Sequence, residues 1–214
     1  MNLSNYYWYF QSAIPPRICD MIVEYGKAEK KREGIAVTGG LGKDRNFQTQ
    51  PLNKKEIKDL KKKRDSNIIW MNDHWIYKEI QPYIHIANKN ADWKFNWDWS
   101  ESCQFTKYKK GQYYNWHCDS WNEPYVHEGP TNGKIRKLSV TVSLTPPDQY
   151  KGGELEFDFR QHDPDKRRKL RVCKEILPQG SVIVFPSFVW HRVKPVTKGV
   201  RYSLVMWNLG YPFK

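Results

Sequence analysis

The strongest constraint on the fold is a change of hydrophobic period near residue 93. From there Trp93, Phe95, Trp97 and Trp99 alternate with polar residues, which is typical of a half-buried strand. Further short apolar segments follow, separated by turn signals such as Gly152-Gly153. The predicted strands are 93–99, 102–109, 113–117, 136–144, 154–159, 181–185, 190–194 and 201–209. Many short strands with turns between them favour a jelly roll.

Residues before position 93 show helical spacing instead. Pro16 is suited to a first helical turn, and the apolar pattern after it predicts a helix over about 16–26. Asn53 and Glu56 have the spacing of a capping box, which predicts a short basic helix. Asn72 is predicted to cap a third helix, which Pro82 should kink or restart. Because helices precede strands, the fold class is predicted to be α+β, with the helices packed outside one sheet.

The domain organisation follows from this division. The Gly-rich, charged stretch 27–50 is expected to be a mobile loop between the first two helices. We therefore predict a single domain over 1–214, with about 1–92 as helical support and loop and about 93–214 as the jelly-roll core. No linker or internal repeat divides the chain.

Composition excludes several classes of protein. Apolar residues make up 39% and aromatic residues 15% of the 214 residues, which is too many for a disordered chain. No apolar run approaches the length of a transmembrane helix, and the first residues lack the pattern of a signal peptide. The 4 cysteines are widely separated, which suits a reducing compartment. We expect a cytoplasmic protein, in the host cytoplasm if the chain is viral, and no membrane partner.

The chain is strongly basic. Its 36 lysines and arginines exceed its 23 acidic residues, which gives a formal charge of +13. The positive charge is concentrated in residues 54–64 and 166–169. Such clusters are compatible with solvated surfaces, with an acidic protein partner or with a nucleic acid. Charge alone does not choose among these.

A set of potential metal ligands lies in the second half. His117 and Asp119 are two residues apart in a predicted strand, so their side chains project to the same face. His191, from a distant strand, would complete two imidazoles and one carboxylate. This set leaves three open positions on an octahedral ion and is typical of non-haem Fe(II) oxygenases. Zinc or nickel could occupy the same ligands, and plain hydrogen bonding is the alternative to a metal.

Other polar residues point to an anionic ligand beside this set. The segment 190–201 is predicted to be a hairpin that returns Arg201 beside His191. A guanidinium is suited to a carboxylate, and the Tyr108 hydroxyl could reach the same group. Alternate residues of one strand are predicted to face the barrel interior, where their polar groups could contact a ligand: Lys137, Ser139, Thr141 and Ser143.

Together these motifs resemble the Fe(II)- and 2-oxoglutarate-dependent dioxygenases, and within them the prolyl 4-hydroxylase-like group. The resemblance includes the His-x-Asp of residues 117–119, with Arg201 and Trp207 placed ten and sixteen residues after His191. It extends to the Gly-Gly-Glu-Leu turn at 152–155 and the segment 180–193. We judge that it covers nearly the whole chain.

The resemblance implies a double-stranded β-helix with iron held by His117, Asp119 and His191 as the catalytic residues. It implies that 2-oxoglutarate chelates the metal and binds Arg201 and Tyr108. The residues expected to line its pocket are Thr141, Ser143 and Trp207. Reaction with O2 would give succinate and CO2 and oxidise a substrate C–H bond, with ascorbate in a supporting role. A carboxylate at position 119 favours hydroxylation over halogenation.

The expected substrate is a protein side chain, with proline the first choice. An acidic peptide partner would suit the basic surface. The alternatives are an oxygenase acting on nucleic acid, or on a free amino acid or other small molecule. Against nucleic acid, Trp207 stands where related alkyl-repair enzymes place a second arginine. A non-enzymatic binding module with the same fold is a further alternative.

Overall fold

The structure is a computed structural model, which describes residues 5–29, 33–35, 53–120, 123–159 and 170–213. Its helices are α1 (Pro16–Ala28), α2 (Lys54–Lys63) and α3 (His74–Asn90). Its strands are β1 (Trp8–Phe10), β2 (Gly34–Ile35), β3 (Arg64–Asp65), β4 (Asn67–Met71), β5 (Trp99–Ser100), β6 (Cys103–Tyr108), β7 (Tyr113–His117), β8 (Ile135–Ser143), β9 (Tyr150–Gly152), β10 (Leu155–Asp158), β11 (Leu170–Val172), β12 (Val182–Pro186), β13 (Trp190–Val193), β14 (Val196–Gly199) and β15 (Arg201–Gly210). Most of the predicted loop 27–50 and the basic cluster 166–169 lie outside the described residues.

Two antiparallel sheets form the body of the molecule. The larger has the order β1-β12-β8-β15-β6-β4-β2, with β5 added beside β15, and the smaller has the order β11-β10-β13-β7-β3. Strands β9 and β14 form a separate pair. Apolar side chains from both sheets meet in one core cluster, which includes Tyr108, Phe157 and Phe185. This arrangement confirms the predicted double-stranded β-helix.

Strand β8 shows how the helices and the barrel interior divide the larger sheet. Its even-numbered residues, such as Val140 and Val142, are fully buried against the helices α1 and α3 in a second core cluster. The odd-numbered Ser139, Thr141 and Ser143 are buried on the opposite face. The predicted alternation of outward apolar and inward polar side chains is therefore confirmed. It delivers a row of hydroxyl groups to the barrel interior.

The predicted strand over 93–99 is wrong, although Trp93 and Phe95 are buried as its pattern suggested. Residue Lys94 adopts a φ of 54°, in the left-handed region, which is incompatible with an extended strand. The Asn88 side chain replaces a strand partner, because it hydrogen bonds to both the N–H and the carbonyl of Phe95 at 2.9 Å. Only β5 pairs with a neighbour in this segment.

The predicted hairpin over 190–201 is also wrong. Strand β13 pairs with β10 and β7 in the smaller sheet, whereas β15 lies in the larger sheet between β8 and β6. The intervening β14 pairs with β9, so the chain crosses from one sheet to the other. His191 and Arg201 therefore belong to different walls of the barrel.

The first 92 residues contribute more than helices, because β1, β2 and β4 extend the larger sheet and β3 extends the smaller one. The capping box of Asn53 and Glu56 is confirmed. The prediction that Asn72 caps the third helix is wrong, because α3 begins after Asp73. The Asp73 carboxylate accepts a hydrogen bond from the Tyr25 hydroxyl at 3.0 Å. The helix continues through Pro82 because buried residues on both sides, including Ile80 and Ile84, hold it against the sheet. Within the described residues, no helix has the length and apolar character that crossing a bilayer requires.

Gly180 offers a test of this packing. Its φ is 78°, and a Cβ at this position would overlap the carbonyl oxygen of Ile14. We expect Gly180→Ala to lower the free energy of unfolding by about 3 kcal/mol, measured by urea denaturation. Gly111→Ala is the matched control, since its φ is 84° but no atom lies within 4 Å of the added Cβ. It should cost only about 1 kcal/mol, and equal losses in the two variants would contradict the predicted clash.

Candidate metal centre

Three side chains predicted to be metal ligands come together at one end of the barrel. The donor atoms of His117, Asp119 and His191 lie within 4.8 Å of one another. His117 ends β7 and is directly opposite His191 on β13, so sheet register brings the two rings together. Asp119 Oδ1 is 3.7 Å from His117 Nε2, and Asp119 Oδ2 is 3.6 Å from His191 Nε2. The three residues could therefore hold a single metal ion.

The backbone fixes which nitrogen of each imidazole faces this point. His117 Nδ1 is 2.7 Å from the carbonyl oxygen of Asn115, and His191 Nδ1 is 3.0 Å from that of Val189. A carbonyl only accepts hydrogen bonds, so each Nδ1 carries the proton. In each ring Nε2 is then the nitrogen that faces Asp119 and is available to a metal ion. This is the arrangement by which proteins orient imidazole ligands.

Neighbouring groups hold the Asp119 carboxylate in place. The Ser139 hydroxyl donates to Asp119 Oδ2 at 2.8 Å and lies 2.9 Å from the Ser187 hydroxyl. The Asp119 N–H donates to the Ser187 carbonyl at 2.8 Å. Burial alone would raise the pKa of Asp119, but the His191 and His117 imidazoles and the Arg136 guanidinium lower it to about 2. The carboxylate is thus charged and oriented at neutral pH.

The His117 ring is held by stacking against Tyr114. Tyr114 stacks on it with ring centroids 3.4 Å apart, and the Arg64 guanidinium lies 4.4 Å from the centroid of the Tyr114 ring. Burial, followed by the repulsion of the facing His191 ring, holds the pKa of His117 well below its usual value. The ring is therefore neutral at pH 7, as a metal ligand must be.

Arg201 lies deeper in the barrel and is 2% exposed. It is directly opposite Tyr108 in the sheet, and its Cζ atom is 5.6 Å from the centroid of the Tyr108 ring. Its guanidinium donates to the Ser203 hydroxyl at 3.2 Å. Among the described residues it has no carboxylate at ion-pair distance. A buried charge without a counter-ion is unfavourable, so this end of the barrel is suited to an anion.

The other predicted pocket residues lie between Arg201 and the metal ligands in the larger sheet. Ser143 pairs with Ser203, next to Arg201, and Thr141 pairs with Val205 on β15. Trp207 pairs with Ser139, the residue that contacts Asp119. All the side chains predicted to bind the co-substrate therefore belong to one face of the larger sheet, which extends from Arg201 to Ser139 beside Asp119.

Sequence reasoning missed a second group of residues near the ligands. Arg136 stacks on Trp207, with its Cζ atom 3.9 Å from the ring centroid, and it forms an ion pair with Glu101. Trp70 lies beside Trp207, with centroids 6.1 Å apart. No spacing rule connects these residues, because they come from four separate strands or loops. Their proximity appears only once the sheet order is known.

Comparison with known proteins agrees with this geometry. Residues 103–208 match the family model described as the 2OG-Fe(II) oxygenase superfamily. The PKHD-type hydroxylase YbiX of Escherichia coli O1:K1 is 38% identical over 106 residues, which cover 48% of this chain and 40% of that protein. The protein of the same name from Shigella dysenteriae serotype 1 gives the same values. The matched part thus spans less than half the length of these relatives.

Solved structures share the fold over nearly the whole chain. The viral collagen prolyl hydroxylase of Paramecium Bursaria Chlorella virus-1, in its 2OG complex, has a TM-score of 0.61 at 18% identity and covers 97% of both chains. A Pseudomonas putida prolyl-4-hydroxylase has a TM-score of 0.63 at 15% identity, covering 96% of this chain and 92% of that one. A Trichoplax adhaerens prolyl hydroxylase, in complex with a hypoxia inducible factor peptide fragment, has a TM-score of 0.60 at 16% identity, covering 96% and 84%. The matched segment and the site geometry thus agree with the 2OG-Fe(II) oxygenase superfamily, and the fold is that of the prolyl hydroxylases.

Proposed function

We propose that this protein is an Fe(II)- and 2-oxoglutarate-dependent dioxygenase that hydroxylates proline in a polypeptide and releases succinate and CO2. The observation that carries this proposal is the placement of two complementary sites inside one barrel, on its two facing sheets. At one end are three metal donors within 4.8 Å of one another. At the other is a buried guanidinium, Arg201, that is 2% exposed. A metal-chelating diacid matches both ends.

In this proposal His117, Asp119 and His191 hold the iron and are the catalytic residues. The two neutral imidazoles and one carboxylate suit Fe(II), which would activate O2 at the positions these ligands leave free. Ser139 holds the carboxylate in its ligating orientation, and the two backbone carbonyls hold the imidazoles. The protein thereby fixes the ligand set before the metal arrives.

Arg201 and Tyr108 bind the distal carboxylate of 2-oxoglutarate, and Thr141, Ser143 and Trp207 line the path from there to the iron. The guanidinium offers a rigid pair of donors to a carboxylate. Because Arg201 is buried, its interaction with the co-substrate is weakly screened by solvent. The co-substrate therefore supplies the counter-ion that the described residues do not provide.

The aromatic rings beside the metal ligands are covered by other side chains. Trp207 is 5% exposed and lies against the Arg136 guanidinium, and Tyr114 contacts both His117 and Arg64. These rings therefore stabilise the site, and the substrate class is inferred from similar proteins. The neighbouring structures support a polypeptide substrate, since one is named a collagen prolyl hydroxylase and another is bound to a peptide fragment.

The cysteines support a location in a reducing cytoplasm. None of the 4 cysteines forms a disulfide, and Cys19, Cys103 and Cys173 are buried. Burial raises the pKa of each of these three thiols to about 12, so they are protonated and unreactive at neutral pH. The chain is thus compatible with a compartment that keeps thiols reduced.

The direct test is incubation with Fe(II), 2-oxoglutarate, ascorbate and a panel of proline-containing peptides. We expect a mass increase of about 16 Da on proline, the mass of one oxygen atom, together with one succinate per hydroxylation. Asp119→Ala should abolish both products and retain the far-UV circular dichroism of the wild type. Succinate formation that responds to oligonucleotides or free amino acids, but to no peptide, would overturn the choice of substrate.

Removing the Ser139 hydroxyl tests how the carboxylate is held. We expect Ser139→Ala to weaken metal affinity about tenfold, because Asp119 loses the donor that orients it. The measurement is titration with Co(II) under anaerobic conditions, without co-substrate, followed by visible absorption. Ser143→Ala is the control, since it removes a hydroxyl from the same face of β8 that does not contact Asp119. Equal affinities in the two variants would contradict this role for Ser139.

Arg201 is the residue proposed to bind the distal carboxylate of the co-substrate. Arg201→Gln removes a charge-assisted pair with the co-substrate, for which about 3 kcal/mol is typical, so KM for 2-oxoglutarate should rise about 100-fold. The apo protein should not lose stability, because among the described residues the guanidinium has no ion-pair partner to lose. N-oxalylglycine should raise the Tm of the wild type and not that of the variant. An unchanged KM would refute the assignment.

A further inference from the structure

We propose that helix α2 is a docking surface for an acidic segment of the polypeptide that the enzyme hydroxylates. This inference rests on the proposed function and adds a recognition element outside the metal centre. It names the chemistry of the partner as a run of aspartate and glutamate residues near the target residue. This surface, the lysine stripe, consists of Lys54, Lys55, Lys58, Lys61 and Lys62.

The lysine stripe is one face of the helix. At 100° per residue its five side chains fall within an arc of about 120°, opposite the buried Leu60. All five are exposed. Two acidic residues lie on the helix, but Glu56 is engaged in the capping box and Asp59 pairs with Lys62. The other four lysines of the stripe have no ion-pair partner among the described residues.

This arrangement has an energetic cost for the free helix. Lys54 and Lys58, and likewise Lys58 and Lys62, are four residues apart and repel each other. A solvated surface would lose nothing if acidic residues replaced some of these lysines. A polyanionic partner would instead turn the repulsion into attraction, which gives the concentration of charge a physical reason.

The stripe is firmly attached to the wall of the candidate active site. The Tyr113 hydroxyl on β7 donates to the carbonyl oxygens of Lys61 and Lys62 at 3.0 and 3.1 Å. The chain passes directly from α2 into Arg64, which contacts Tyr114, which stacks on His117. A peptide that reaches the metal ligands across this wall therefore passes close to the lysines.

These contacts also set a distance. His117 is four residues beyond Tyr113 on β7, which corresponds to about 13 Å. From Lys62 back to Lys54 the helix adds about 12 Å. In an extended peptide, at about 3.3 Å per residue, the acidic run should lie roughly four to eight residues from the target proline.

The composition of the helix favours a protein partner over a nucleic acid. All its cations are lysines, whereas arginine is the residue suited to paired hydrogen bonds with phosphate. The helix carries no aromatic side chain on which a base could stack. Lysines act as mobile point charges, which suits carboxylates on a flexible acidic segment.

The test measures binding separately from turnover. Fluorescence anisotropy is recorded for labelled peptides with one proline and five glutamates placed four to eight residues before or after it. The same peptides with glutamine in place of glutamate, and a single-stranded oligonucleotide of equal charge, are compared at low salt. The test variant is Lys54→Gln, Lys58→Gln and Lys62→Gln. The control variant is Lys78→Gln, Lys89→Gln and Lys94→Gln, which removes the same charge from exposed positions on α3 and the segment after it.

We expect the test variant to bind the glutamate peptide about tenfold more weakly than the wild type at low salt, and the control variant to match the wild type. The difference should shrink at high salt. Equal losses in both variants, or no preference for glutamate over glutamine, would overturn the proposal. Tighter binding of the oligonucleotide than of the glutamate peptide would overturn it in favour of nucleic acid. Selective peptide binding without hydroxylation would leave the docking surface intact and refute only the proposed activity.

Discussion

The site depends on a repulsion that the protein cannot relieve by itself. Because the Nδ1 atoms of His117 and His191 donate to backbone carbonyls, both Nε2 atoms face the Asp119 oxygens, at 3.6–3.7 Å. Acceptors that face one another across a buried space need a cation between them. Burial holds the pKa of His117 well below its usual value, so a proton on that ring is a poor solution. A divalent ion satisfies all three groups at once.

The double-stranded β-helix holds these three groups close together despite their repulsion. Hydrogen-bonded register places His117 opposite His191 in the smaller sheet, and Ser139 in the larger sheet supports the carboxylate from the other side. The apolar side chains of β8 pack against helices α1 and α3, so the wall carrying the hydroxyl groups is rigid. The metal donors are thus preorganised by two sheets whose stability comes from elsewhere in the molecule.

Local patterns predicted the parts of this structure that depend on neighbouring residues. Three features could be predicted because each depends on a few consecutive residues. They are the spacing of His117 and Asp119, the alternation along β8 and the capping box at Asn53. Patterns failed where distant partners decide the outcome. The segment after Trp93 is held by the Asn88 side chain rather than by a strand, and β14 carries the chain from one sheet to the other. The pairing of Arg136 with Glu101 and Trp207 could not be predicted, since it requires the sheet order.

Charge balance links the two ends of the barrel interior. Arg136 is neutralised by Glu101, but Arg201 has no such partner among the described residues. With neutral imidazoles, a divalent ion on Asp119 leaves one positive charge at the metal, and Arg201 adds another at the far end. A ligand that cancels both must carry two negative charges, separated by the length of the pocket and with a chelating group at one end. A 2-oxo diacid has these properties, whereas a monoanion would leave one buried charge uncompensated. In the proposed function, the selectivity of the pocket for its co-substrate therefore follows from two cations held by facing sheets of one barrel.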